Sequence, residues 1–119
     1  MHYQLNKKVL LMERTYNKLV RDKIPDIIIS NGETPVTRVL GDEEYKKALE
    51  EKLLEEYEEV VSSGAEDRCE ELADMIEVIR FLAGLENKTL EEIISMADVK
   101  KAERGGFNDR IFLEKVLEE

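Results

Sequence analysis

Residues 55–74 read EEYEEVVSSGAEDRCEELAD. Glu56 and Glu59, and again Glu71 and Asp74, are spaced i,i+3, so on a helix each pair shares one face with Cβ atoms about 5–6 Å apart. Ser62-Ser63-Gly64-Ala65 is the best turn candidate between them. A chain that folds back at residue 65 sets Glu59 level with Glu71 and Glu56 level with Asp74. Four carboxylates then face one another across a narrow gap and repel strongly unless cations lie between them. Hard cations that prefer oxygen ligands suit such a gap.

Outward from this stretch the pattern is helical. A helix from about Glu43 to Ser62 carries the apolar stripe Tyr45, Leu49, Leu53, Tyr57, Val60, Val61. A second, from about Glu66 to Leu85, carries Cys69, Leu72, Ala73, Ile76, Ile79, Leu82 and Ala83. Thr89-Leu90-Glu91-Glu92 is a capping-box signature opening a further helix that buries Leu90, Ile93, Ile94 and Ala97 and stops at Gly105-Gly106. Upstream, Asp22 caps a short helix with Pro25 in its first turn, ended by Gly32. Residues near 34–40 are rich in β-formers, and residues 107–116 alternate in part, so a small β element is expected there. The fold class is mainly α, an antiparallel helical bundle with that β element, in a single domain over residues 1–119. Met12 is an alternative start, which makes residues 1–12 a dispensable extension.

Composition narrows the function classes. A formal net charge of −10 leaves no basic surplus to neutralise phosphates or anionic lipid, which argues against a general nucleic-acid or membrane-surface binder. No apolar run approaches the ~20 residues of a membrane span. Cys69 is the single cysteine, so no internal disulfide forms and a reducing cytoplasm is the natural setting. On its apolar stripe it reads as a small core hydrophobe. His2 is the single histidine, which removes His-rich zinc sites, a Ser–His triad and Glu-x-x-His di-iron bundles.

The acidic pattern admits two readings. Twenty-eight Asp and Glu make chance i,i+3 pairs common, and a solvated acidic face accounts for them. Against that, Glu56 and Glu59 border the apolar stripe at Tyr57 and Val60. Asp74 stands alone between Ala73 and Met75-Ile76, where propensity disfavours it.

EEYEE at Glu55–Glu59 followed by ELAD at Glu71–Asp74 resembles the EExxE…ExxD signature of the all-α, MazG-like nucleoside triphosphate pyrophosphohydrolases. YNKLVRDKIPDII at Tyr16–Ile28 and KKAERGGF at Lys100–Phe107 resemble the small house-cleaning branch of that superfamily, often labelled phosphoribosyl-ATP pyrophosphohydrolase-like. The spacer between Glu59 and Glu71 is short for the wider superfamily, which suits a tight hairpin. The resemblance implies an all-α NTP pyrophosphatase-type bundle that holds Mg²⁺, with Mn²⁺ as a substitute, through Glu56, Glu59, Glu71 and Asp74. It implies cleavage of the α–β bond of a nucleoside triphosphate, with Glu55 as a neighbour of the ligands or the base that orients water. It further implies a cytoplasmic homodimer or homotetramer, with sites completed across subunits.

Candidates for substrate binding are Asn17 and two basic clusters: Lys18, Arg21 and Lys23, and then Lys100 and Arg104, an i,i+4 pair able to grip adjacent phosphates. Asn17 reads equally as a base contact or a turn residue. Arg80, among Ile79, Phe81 and Leu82, suggests an interface or a partner for a buried carboxylate. Two rivals share the sequence evidence: a phosphoribosyl-ATP pyrophosphohydrolase of histidine biosynthesis, and a noncatalytic acidic helical interaction protein.

Overall fold

The computed structural model describes residues 12–119. The expectation of a dispensable N-terminal extension falls almost entirely outside them. The described residues form four helices and no strand: α1 (Ile24–Ser30), α2 (Asp42–Ser62), α3 (Arg68–Leu85) and α4 (Leu90–Arg104). No described helix is long and apolar enough to cross a membrane. Two compact units divide between Ala48 and Leu49, inside α2.

In the first unit, α1 begins with Lys23 at its N-cap, where no side chain caps the helix, so Asp22 does not play the part expected of it. Pro25 lies in the first turn, where its missing N–H leaves no hydrogen bond unmade. Gly32 follows with φ 81°, a left-handed conformation that glycine adopts without a Cβ penalty. Its amide donates to the Ile29 carbonyl at 2.9 Å, and the Glu33 amide donates to Ile28 at 3.1 Å, closing the helix end. Residues 34–40 form no strand. β-propensity describes fit to a paired, half-buried surface, and here Val36 and Val39 are 96% and 99% exposed with no ladder beside them.

The second unit runs from Leu49 onward. Leu49, Val78, Ala83 and Leu90 are its buried apolar residues. Thr89 caps α4 as its sequence predicts: its Oγ1 accepts from the Glu92 amide at 3.1 Å, and the Glu92 carboxylate accepts from the Thr89 amide at 3.2 Å. Asn87, in the link from α3, takes a left-handed φ of 57°, which Asn tolerates better than most residues. Backbones of α3 and α4 approach within 8 Å. Residues 107–116 form no strand either; Phe107, Ile111 and Leu113 are exposed, and no neighbouring strand supplies a ladder.

In α3 the expected stripe divides: Ile79, Leu82 and Ala83 are withdrawn from solvent as expected, and its N-terminal part is not. Cys69, Leu72, Ala73 and Ile76, expected in the core, are exposed, with Leu72 at 42% and Ile76 at 46%. The inward face is Glu71, Asp74, Met75, Val78, Ile79 and Leu82, all half-buried or buried. At 3.6 residues per turn the two sets are centred on different sides of the helix and adjoin along the edge where Ile79 follows Leu72 by two turns. In α2 the inward stripe is Leu49, Leu53, Glu56 and Val60, while Tyr57 and Val61 point out at 52% and 61% exposure. On α4 only Leu90 and Ile93 are withdrawn from solvent; Ile94 and Ala97 are exposed.

Candidate metal centre

Helix α2 brings Glu56 to its inward stripe one turn before Val60, and α3 brings Glu71 and Asp74 to its own inward face. Residues 63–67 form the turn between the two helices. Arg68 and Asp67 amides both donate to the Gly64 carbonyl, at 3.1 and 3.2 Å, tightening it. Ser63 Oγ donates to the Val60 carbonyl at 3.0 Å, satisfying one of the carbonyls a helix end leaves open. The result is a group of three: Glu56, Glu71 and Asp74 each offer a carboxylate oxygen, and these lie within 4.8 Å of one another. Glu56 is 8% exposed, and it is the buried charged residue of the described chain.

Such burial has a physical cost, because a carboxylate taken out of water must be paired or protonated. Lys52, one turn back on α2, supplies part of the pairing. Its Nζ lies 3.5 Å from Glu56 Oε1 and 3.4 Å from Glu55 Oε1. On α3, partial loss of hydration is the largest influence raising the Glu71 pKa above the ordinary glutamate value. The negative charges of Glu59, Asp74, Glu56 and Asp67 push it the same way. Like charges gathered this closely disfavour one another's ionised forms, and a multivalent cation reverses that.

The donor set fits a hard divalent cation. Octahedral Mg²⁺ holds oxygens at about 2.0–2.1 Å, so ligands across it stand roughly 4.2 Å apart. Of three ligands at most one pair stands across the ion and the others stand roughly 2.9 Å apart, so oxygens within 4.8 Å of one another draw together by side-chain rotation as an ion binds. Three carboxylates leave coordination positions for water and phosphate oxygens, the usual Mg²⁺ arrangement.

Of the four ligands expected, Glu59 stands outside the converging group, yet lies near enough to act on Glu71. Glu55 sits beside the group, held by Lys52. Lys52 was not anticipated; the signal was present in Lys52-Leu53-Leu54-Glu55-Glu56, where a lysine one turn before a glutamate shares its face. Lys100 and Arg104 lie one turn apart and exposed near the end of α4. Arg104 also lines a concave loop with Gly105, Gly106, Phe107 and Arg110. In the first unit, Asn17 has φ 46°, the backbone of a turn residue. Lys18 Nζ stands 5.9 Å from the centre of the Tyr16 ring, a cation–π distance. The Arg21 carbonyl accepts from the Ile24 amide at 3.0 Å, and Lys23 is the N-cap of α1. Arg80 pairs with Glu77, one turn before it on α3.

No protein-family model and no solved structure matches the chain. An uncharacterized protein of Mycolicibacterium smegmatis (strain ATCC 700084 / mc(2)155) is 48% identical over 50 residues, which are 42% of this chain and 51% of that protein. The match spans about half the length of that relative.

Proposed function

We propose that this chain is a Mg²⁺-dependent nucleoside triphosphate pyrophosphohydrolase, converting a triphosphate and water to a monophosphate and pyrophosphate. The observation that carries the reading is the meeting of Glu56, Glu71 and Asp74 from two helices at core-facing positions. A solvated acidic face does not need that placement; a cation-holding one does. The resemblance of EEYEE, ELAD, YNKLVRDKIPDII and KKAERGGF to the MazG-like, house-cleaning branch supports the same reaction.

Glu56, Glu71 and Asp74 are the residues that would hold the metal, with Glu59 hydrogen-bonding its waters or joining by side-chain rotation. Bound there, Mg²⁺ polarises phosphoryl oxygens, offsets developing charge and lowers the pKa of its water. Glu55, paired with Lys52 beside the group, is the proposed residue that orients the attacking water. Lys100 and Arg104 bind phosphate oxygens. Little covalent chemistry falls to the protein, so positioning and electrostatics carry catalysis. Noncanonical nucleotides are the proposed substrates and the cytoplasm the proposed compartment.

The exposed Leu72, Ile76 and Phe81 on α3 support a homodimer or homotetramer, in which a second copy completes an antiparallel bundle. They equally favour a second reading, a noncatalytic helical interaction protein. Pyrophosphate release from a panel of ordinary, damaged and phosphoribosyl-substituted triphosphates, with and without Mg²⁺, tests the proposal. Mg²⁺-dependent release from any member supports it, and phosphoribosyl-ATP outpacing all others identifies the histidine-pathway enzyme. No release from any member rejects the enzymatic reading.

A further inference from the structure

We infer that Lys52 is the resident counter-ion of this site in the metal-free protein, and that a divalent cation takes Glu56 by displacing the Lys52 ammonium. The inference rests on the metal-binding reading above and concerns how the site is kept stable before the metal arrives.

Lys52 Nζ lies 3.5 Å from Glu56 Oε1 and 3.4 Å from Glu55 Oε1. The Lys52 and Glu56 side chains are only 18% and 10% exposed, so water screens this pair less than an ordinary surface pair. Glu56 also belongs to the group whose oxygens converge within 4.8 Å. An ammonium and a divalent cation held on one carboxylate a few ångströms apart repel each other strongly in so little water. Occupation by one therefore weakens the other. Lysine suits the part of the group that leaves: its charge is compact, readily hydrated and carried on a flexible four-carbon stem. Because Lys52 and Glu56 share one face of α2, the ammonium can swing to solvent along that face without movement of the backbone. Metal loading is then an exchange of cations at Glu56 rather than the filling of a bare anionic hole.

Amine acylation read residue by residue tests this on the wild-type protein. Brief treatment with an acetylating reagent, with and without Mg²⁺ at matched ionic strength, is followed by peptide mass spectrometry. Lys46 and Lys47, exposed on the same helix, serve as internal references. Acetylation of Lys52 is expected to be slow without metal and to rise with Mg²⁺ while the references stay constant. Calorimetry on Lys52→Met should show Mg²⁺ binding about two- to fivefold tighter, the range that breaking a pair of modest strength corresponds to. If wild type binds Mg²⁺ in calorimetry but Lys52 acetylation is unchanged, the exchange is wrong and the metal site stands. If wild type binds no Mg²⁺, the metal reading fails and the exchange falls with it.

Discussion

Glu56 on α2 and Asp74 on α3 place carboxylate oxygens within 4.8 Å of each other, with Glu71 completing the group. Residues on two helices meet this way because the turn at 63–67 is short and both occupy inward faces, at positions where an apolar side chain would ordinarily sit. Their presence there is the observation on which the proposed cation-binding role rests.

Substitution should separate the converging residues from their neighbour. Glu56→Gln, Glu71→Gln and Asp74→Asn are each expected to lower pyrophosphate release by about 100-fold or more, while Glu59→Gln costs about tenfold, the scale typical of a residue that supports metal ligands. Circular dichroism should show an intact fold in all four. Equal losses at Glu59 and Glu56 would return Glu59 to the ligand set; wild-type rates in any of the three would remove that residue.

The raised Glu71 pKa sets a pH dependence whose sign differs between the metal-free and metal-bound protein. Without metal, the folded protein holds the Glu71 proton more tightly than the unfolded chain. Stability from this group is therefore present below the ordinary glutamate pKa and is lost as pH rises through the folded value. In chelator, Tm should rise as the solution is acidified into that window, and Glu71→Gln should flatten the dependence. With Mg²⁺ the trend reverses, since a protonated carboxylate does not coordinate and acid releases the metal. Identical pH profiles for wild type and Glu71→Gln in chelator would contradict the crowding of charge at this residue.

Thr89 tests a purely structural claim. Thr89→Ala removes the hydroxyl that accepts from the Glu92 amide and should cost about 1 kcal/mol of stability, read as a lower Tm or denaturation midpoint. Turnover per folded molecule should not change, because the carboxylate group lies on α2 and α3 and Thr89 caps the end of α4 remote from Lys100 and Arg104.

Lys100→Ala and Arg104→Ala should raise KM several-fold with kcat little altered, as expected of groups that bind phosphate equally in ground and transition states. Unchanged kinetics in both would make these cations ordinary helix-end charges that favour the dipole of α4.

Much of this architecture was legible in the sequence. The Thr89–Glu92 box set the start of α4, Gly32 the end of α1, and the periodicity of about residues 43–62 and 66–85 the two long helices, to within two residues at each end. The i,i+3 spacing and the mirrored turn pointed to Glu56, Glu71 and Asp74, but the same pattern placed Glu59 in the group, and it stands outside. The orientation of α3 was legible only in part. Ile79, Leu82 and Ala83 are withdrawn from solvent as the stripe predicts, but Cys69, Leu72, Ala73 and Ile76 are exposed while Glu71, Asp74 and Met75 are half-buried. The structure turns inward the side that carries Met75, Val78, Ile79 and Leu82, and Glu71 and Asp74 come inward with them. The β segments were misjudged because strand propensity acts only where a partner strand exists. Lys52 was overlooked because a lysine among many on an acidic helix looks like solvated surface until its distance to Glu56 is seen.

Calorimetric titration of Mg²⁺ into the metal-free protein tests the central claim most directly. Wild type should bind with saturable heat, and Glu56→Gln and Asp74→Asn should each lose most of it. Equal heats in all three proteins, or none in wild type, would contradict the assignment of this carboxylate group as a metal centre.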